Sequence, residues 1–192
     1  MDKSIIGTET EKNLLKSFAG ESQARQRYTL FADKAKEEGY DQIAALFLET
    51  ALNEYYHARR FFSYLEGRDL EITATYPAGK VGTTEENLKA AAMGENEEWS
   101  ILYPAFAEVA AKEGFPKIAA AYKVISEVEI LHEKRYLKLL ENVQSEMVFK
   151  KPEGERWHCR ACGYVREGLE APKVCPVCFE KQELFELESL NY

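Results

Sequence analysis

The chain has 192 residues, 45% of them hydrophobic, which is enough for a core and sized for one domain or one and a fraction. Its formal charge of −8 speaks against nucleic acid or an anionic membrane as partner, since both need a basic face. The N-terminus has no apolar stretch long enough for a signal peptide and no later segment reaches spanning length. All 4 Cys lie in the last 34 residues, so a reducing cytoplasm is the expected location.

Residues 8–144 read as four long helices. Thr8-x-x-Glu11 and Thr83-x-x-Glu86 are capping boxes that start the first and third. Gly39 and Gly114 end those helices, Gly67 closes the second, and Pro116 suits the first turn of the fourth. The segment between Gly67 and Thr83 is too long for a tight hairpin, so it predicts a bundle with one long crossover, the ferritin-like arrangement. After Met147 the pattern changes. Residues 150–155, with Pro152 and Gly154, read as a polar linker to a turn-rich tail too small to hold itself together without a metal. The expected division is therefore 1–147 and 148–192.

The helical part is an internal duplication. Gly39, Ile43-Ala44-Ala45 and Arg60 recur 75 residues on as Gly114, Ile118-Ala119-Ala120 and Arg135. Gly20-Glu21 recurs at 74 as Gly94-Glu95, yet Tyr28 recurs at 75 as Tyr103. The third helix thus holds one extra residue between positions 95 and 103, which predicts a π-bulge.

Glu54-x-x-His57 and Glu129-x-x-His132 are the duplicated pair that carries the chemistry. A carboxylate and an imidazole at i, i+3 share one helix face and can reach one ion. The apolar stripes run Ile43, Phe47, Thr50, Glu54, His57, Phe61, Tyr64 in the second helix and Ile118, Tyr122, Ile125, Glu129, His132, Tyr136, Leu139 in the fourth. The first gives Leu14, Phe18, Glu21, Tyr28, and the third Leu88, Ala91, Glu95, Glu98, Leu102, Val109. Five carboxylates in the middle of inward stripes would each cost about several kcal/mol if left buried and ionised alone. Two cations resolve this. Oxygen donors with two imidazoles suit iron or manganese, with Glu54 and Glu129 as bridges. Glu98 breaks the symmetry, because its counterpart in the first helix is Ala24.

In the tail, Cys159-x-x-Cys162 and Cys175-x-x-Cys178 form a tetrathiolate site, with Gly163 and Pro176 favouring turns that point backbone N–H groups at sulfur. Spacing alone allows structural zinc or a redox-active iron; fusion to a di-iron bundle favours iron.

These motifs, together with Phe18-Ala19-Gly20-Glu21-Ser22-Gln23-Ala24-Arg25, Gly94-Glu95-x-x-Glu98 and His132-Glu133-Lys134-Arg135, resemble the rubrerythrin family over nearly the whole chain. The resemblance implies a mainly α fold, with a ferritin-like di-iron bundle followed by a rubredoxin-like domain of short β-strands. It implies a non-haem peroxidase that reduces hydrogen peroxide to water in oxidative stress protection. Electrons come from NAD(P)H through a reductase or rubredoxin to the four-cysteine iron, which zinc can replace in recombinant protein. One iron of the family exchanges a Glu for a His ligand with redox state, at positions matching Glu98 and His57. Two site tyrosines match Tyr28 and Tyr103, and the family forms homodimers, with a tetramer the alternative. The rivals are an oxygen reductase or ferroxidase, an iron-binding protein with a zinc tail, and a bare electron-transfer module.

Overall fold

The computed structural model describes residues 3–191. Helix α1 (Glu9–Glu37) packs along α2 (Asp41–Phe62), and a crossover follows that carries no regular structure up to Thr83. The third helix is split into α3 (Thr84–Glu97), a π-helical turn (Glu98–Leu102) and α4 (Tyr103–Lys112), and both α3 and α4 pack along α5 (Pro116–Gln144). The architecture is the ferritin-like bundle expected from the long connection between Gly67 and Thr83. Gly39 and Gly114 hold φ near +82° and +84° just past α1 and α4, the left-handed turn that glycine adopts without a Cβ penalty.

The duplication also appears in how the hairpins grip each other. At the end of α1, Glu38 accepts the Thr84 N–H (2.8 Å) at the start of α3. Its counterpart Glu113, at the end of α4, accepts the Glu9 and Thr10 N–H groups (3.1 and 2.8 Å) at the start of α1. Each hairpin therefore caps the first helix of the other, placing negative charge where free N–H groups converge.

The π-turn falls inside the interval predicted from the slipped repeat. Two serines take up carbonyls along it: Ser100 Oγ donates to Asn96 O (2.6 Å) and Ser126 Oγ to Trp99 O (3.1 Å). Beyond the turn the buried stripe continues through Tyr103, Ala107 and Ala110 rather than the expected Leu102 and Val109, because the extra residue rotates the helix.

Three local expectations are corrected. Thr83 and Glu86 form a full capping box, but Glu11 does not close one on Thr8; it accepts from Gly7 N (2.8 Å) and pairs with Arg68 instead. Helix α2 stops at Phe62, short of Gly67, as Tyr64 and Leu65 turn aside to pack on the cluster around Ile5 and Phe115. Residues 150–155 are no free linker, since they begin β1 (Lys150–Cys159). Strand β1 pairs antiparallel with β2 (Val165–Glu170) and β3 (Phe185–Leu187), in the order β2-β1-β3. Its register with β2 slips between Lys150 and Glu155, and β3 covers only Trp157–Cys159. Pro152 thus sits in a bulge where no ladder N–H is required.

Candidate metal centres

Four helical segments bring Glu21, Glu54, Glu95, Glu129, His57 and His132 into the bundle centre, where the four carboxylates are at most 1% exposed. Two interlocked clusters result: Glu21, Glu54, His57 and Glu129, and Glu54, Glu95, Glu129 and His132. Glu54 and Glu129 belong to both. His57 Nδ1 lies 2.9 Å from Glu54 Oε2 and 2.9 Å from Glu129 Oε1. His132 Nδ1 lies 3.2 Å from Glu54 Oε1 and 2.8 Å from Glu129 Oε2. Each shared carboxylate thus turns one oxygen to each histidine, the disposition of a bridge. Glu21 flanks the His57 side (3.7 Å) and Glu95 the His132 side (3.6 Å).

The donors fit cations better than they fit one another. Glu21 Oε2, Glu54 Oε1, Glu95 Oε2, both Glu129 oxygens and His132 Nδ1 are buried without an aligned hydrogen bond, although several lie within 3.2 Å of a polar neighbour. Lone pairs that crowd together without donating to each other aim at a shared centre. Tyr28, from α1, donates to Glu95 Oε1, and Tyr103, from α4, donates to Glu21 Oε1 at 2.5 Å. Each flanking carboxylate is thereby pinned through one oxygen while the other stays free.

Without cations the cluster must hold protons. Burial, then the charges of Glu98, Glu54 and Glu129, pushes the Glu21 carboxyl well above its ordinary range. Burial, then the charge of Glu54, raises Glu95 likewise. Burial would lower both imidazoles, but the close Glu129 and Glu54 carboxylates override it and raise His57 to about 10 and His132 to about 12. Burial opposes ionisation of Glu54, yet the adjacent His132 and His57 imidazoles win and hold it at about 2.

Glu98 stands apart. It belongs to neither cluster and lies half-buried at the π-turn, with Oε1 close to Gly20, where a Cβ would sit 4.0 Å away. It lines a cavity of ≈ 350 Å³ together with Lys16, Gly20, Arg27, Tyr76 and Phe106. The crossover covers this cavity, and Tyr76 OH donates to Lys16 O (2.7 Å) to tie the strap down.

In the tail all four sulfurs lie within 4.8 Å of one another. Cys159 and Cys178 Sγ are 3.7 Å apart and Cys162 and Cys175 Sγ 3.6 Å, close to the ~3.8 Å edge of a tetrahedron with ~2.3 Å metal–sulfur bonds. The pairs form matched turns, with Gly163 N donating to Cys159 O and Phe179 N to Cys175 O. Burial opposes the Cys175 thiolate, but backbone N–H groups of Cys178 and Val177 lower it to about 7. The chain carries the donors of a carboxylate–histidine di-iron site and of a four-cysteine iron site.

Two family models match: rubrerythrin over residues 12–140 and the rubrerythrin rubredoxin-like domain over residues 157–186. The chain belongs to the rubrerythrin family. It is 59% identical to rubrerythrin of Porphyromonas gingivalis over all of this chain and 96% of that one. Rubrerythrin-1 of Clostridium acetobutylicum is 54% identical over 99% of this chain and all of its own. Among solved structures, fully reduced, all-ferrous nigerythrin superposes with a TM-score of 0.64 at 32% identity, over 97% of this chain and 90% of that one.

Several residues at this rubrerythrin centre escaped the sequence reading. Glu133 accepts from Asn96 Nδ2 (2.9 Å) and Trp99 Nε1 (2.6 Å), clamping the π-turn to α5. Asn53 Oδ1 lies 3.3 Å from His132 Nε2. Both flank the metal motifs, yet neither carries a periodic signal. The failure of Glu133 to match its counterpart Ala58, and of Asn53 to match Val128, was the available clue.

Proposed function

We propose that the protein is a non-haem di-iron peroxidase that reduces hydrogen peroxide to water, re-reduced through its own four-cysteine iron. The observation that carries this is the pair of interlocked clusters in which Glu54 and Glu129 each face both histidines. Residues Glu21, Glu54, His57 and Glu129 would hold one ion, Glu54, Glu95, Glu129 and His132 the other, and Cys159, Cys162, Cys175 and Cys178 the third. Ferrous ions held there would supply one electron each and Lewis acidity toward the substrate.

The chain's own residues do the rest. The cavity under Tyr76 admits a small substrate to the side where Glu98 stands. Glu98, outside both clusters, would be a further carboxylate available to the ion beside His57, the exchange that the family resemblance implies. Burial and the Glu95 charge keep Tyr28 protonated, and burial and the Glu21 charge do so for Tyr103, so both remain donors that orient the flanking carboxylates. Peroxide, two electrons and two protons give two waters, with carboxyl groups and solvent as the proton source.

The division between bundle and tail falls at 147/148, and the protein works in the cytoplasm in defence against peroxide, drawing on NAD(P)H through a reductase or rubredoxin. No described helix is long and apolar enough to cross a membrane. It acts as a homodimer in which one chain's tail serves the other's bundle. Leu48, Leu52 and Tyr56 form an exposed apolar stripe on α2 suited to a second copy.

Metal analysis and stopped-flow oxidation of the reduced protein test the reading. Two irons in the bundle, a red four-cysteine iron, and oxidation far faster by peroxide than by oxygen are expected. Faster oxidation by oxygen would indicate an oxygen reductase, and a many-chain shell in solution an iron store.

A further inference from the structure

The two histidines occupy equivalent places in the duplication but are not held alike. His132 is 4% exposed, and its Nε2 faces Asn53 Oδ1 at 3.3 Å. A carbonyl oxygen can only accept, so Nε2 carries a proton, and Nδ1, beside Glu54 and Glu129, is the nitrogen left to hold an ion. The residue equivalent to Asn53 on the other hairpin is Val128, which offers no acceptor. His57 accordingly makes no hydrogen bond through Nε2 among the described residues, and its side chain is 12% exposed.

From this asymmetry we propose that Asn53 is a positioning residue that locks the His132 ring on its ion, and that Val128 leaves the His57 ring without a matching anchor. The inference rests on the di-metal reading above and adds what holds one histidine more firmly than the other. The ion beside Glu21 and His57 would thus have the less firmly held imidazole.

Cobalt(II) bound to the full chain tests this without turnover, because a cobalt-bound imidazole shows its remaining N–H as a strongly shifted exchangeable proton resonance. Two such resonances are expected, with the His132 proton exchanging with solvent on the order of fivefold more slowly, the factor that one net hydrogen bond supplies. Asn53→Val should abolish the slow resonance and Asn53→Gln should restore it. Val128→Asn, which leaves the His132 anchor untouched, should slow the second one and so covers the case in which Asn53→Val fails to fold. Equal exchange in the wild-type protein, or no change in Val128→Asn, overturns the proposal while leaving the metal reading standing. Fewer than two cobalt ions bound beyond the one at the cysteines overturns both.

Discussion

Glu98 is set among carboxylates yet held by none of their contacts. Because it faces the strap cavity and has no part in either cluster, Glu98→Ala should leave the bundle folded and slow oxidation by peroxide at least tenfold. Thermal melting and stopped-flow mixing check the two halves of that statement. Tyr103 is the opposite case. It is 2% exposed and its hydroxyl serves Glu21. Tyr103→Phe leaves a buried oxygen without its donor, at a cost of about 1–3 kcal/mol, read as a lower melting temperature of the metal-free protein. Protonation of the same groups sets a pH dependence. Glu21, Glu95 and Glu98 titrate above 4.5 in the fold, and His57 and His132 above 6.5. Raised values mean the native state binds protons more tightly than the unfolded chain does. Their support is therefore complete below those ordinary values and is lost as pH rises, for His57 toward about 10 and for His132 toward about 12. Glu54, depressed to about 2, works in the other direction and fails only in strong acid. Metal-free protein should melt lower at pH 9 than at pH 6. Divalent metal, which takes the protons' place, should flatten or reverse that slope.

The third helix shows what periodicity can and cannot reveal. A shift of the repeat from 74 to 75 located the π-turn, because an added residue must go somewhere and a widened turn accommodates it without moving Glu95 or Tyr103. Deleting exposed Ser100 should therefore give this helix the spacing of α1 and keep the bundle intact. Deleting exposed Ala90, in regular α-helix, should turn everything beyond it by about 100° and destroy metal uptake. Circular dichroism and metal stoichiometry distinguish the outcomes. Glu21, Glu54, Glu95, Glu129 and both histidines were legible because charge in an apolar stripe demands a reason. Asn53, Glu133 and Tyr76 were not, since their roles depend on which atom of another helix lies opposite. The same limit explains Glu11, whose position fitted a capping box but whose carboxylate found Arg68 across the chain. The residues 150–155 resembled a linker because Pro and Gly mark bulges as readily as they mark loops.

For the whole molecule, the bundle and the tail owe their order to different things. Three antiparallel strands around Trp157 and Phe185 form a core too small to stand alone, so the cysteine metal is part of that fold. Stripping it at mild acidity should melt the tail while helix content holds, giving separate transitions in calorimetry. The tail rests on the bundle through Arg160 with Asp41 (2.8 Å) and through Tyr40 stacked on Phe149.

Mutual capping by Glu38 and Glu113 has a further consequence. Each hairpin contributes half of the ion cage and one clasp for its neighbour, so the crossover serves mainly as a tether. A protease nick in that tether, near Lys80, should yield two pieces that stay joined while loaded, drift apart under chelation, and reunite when metal returns.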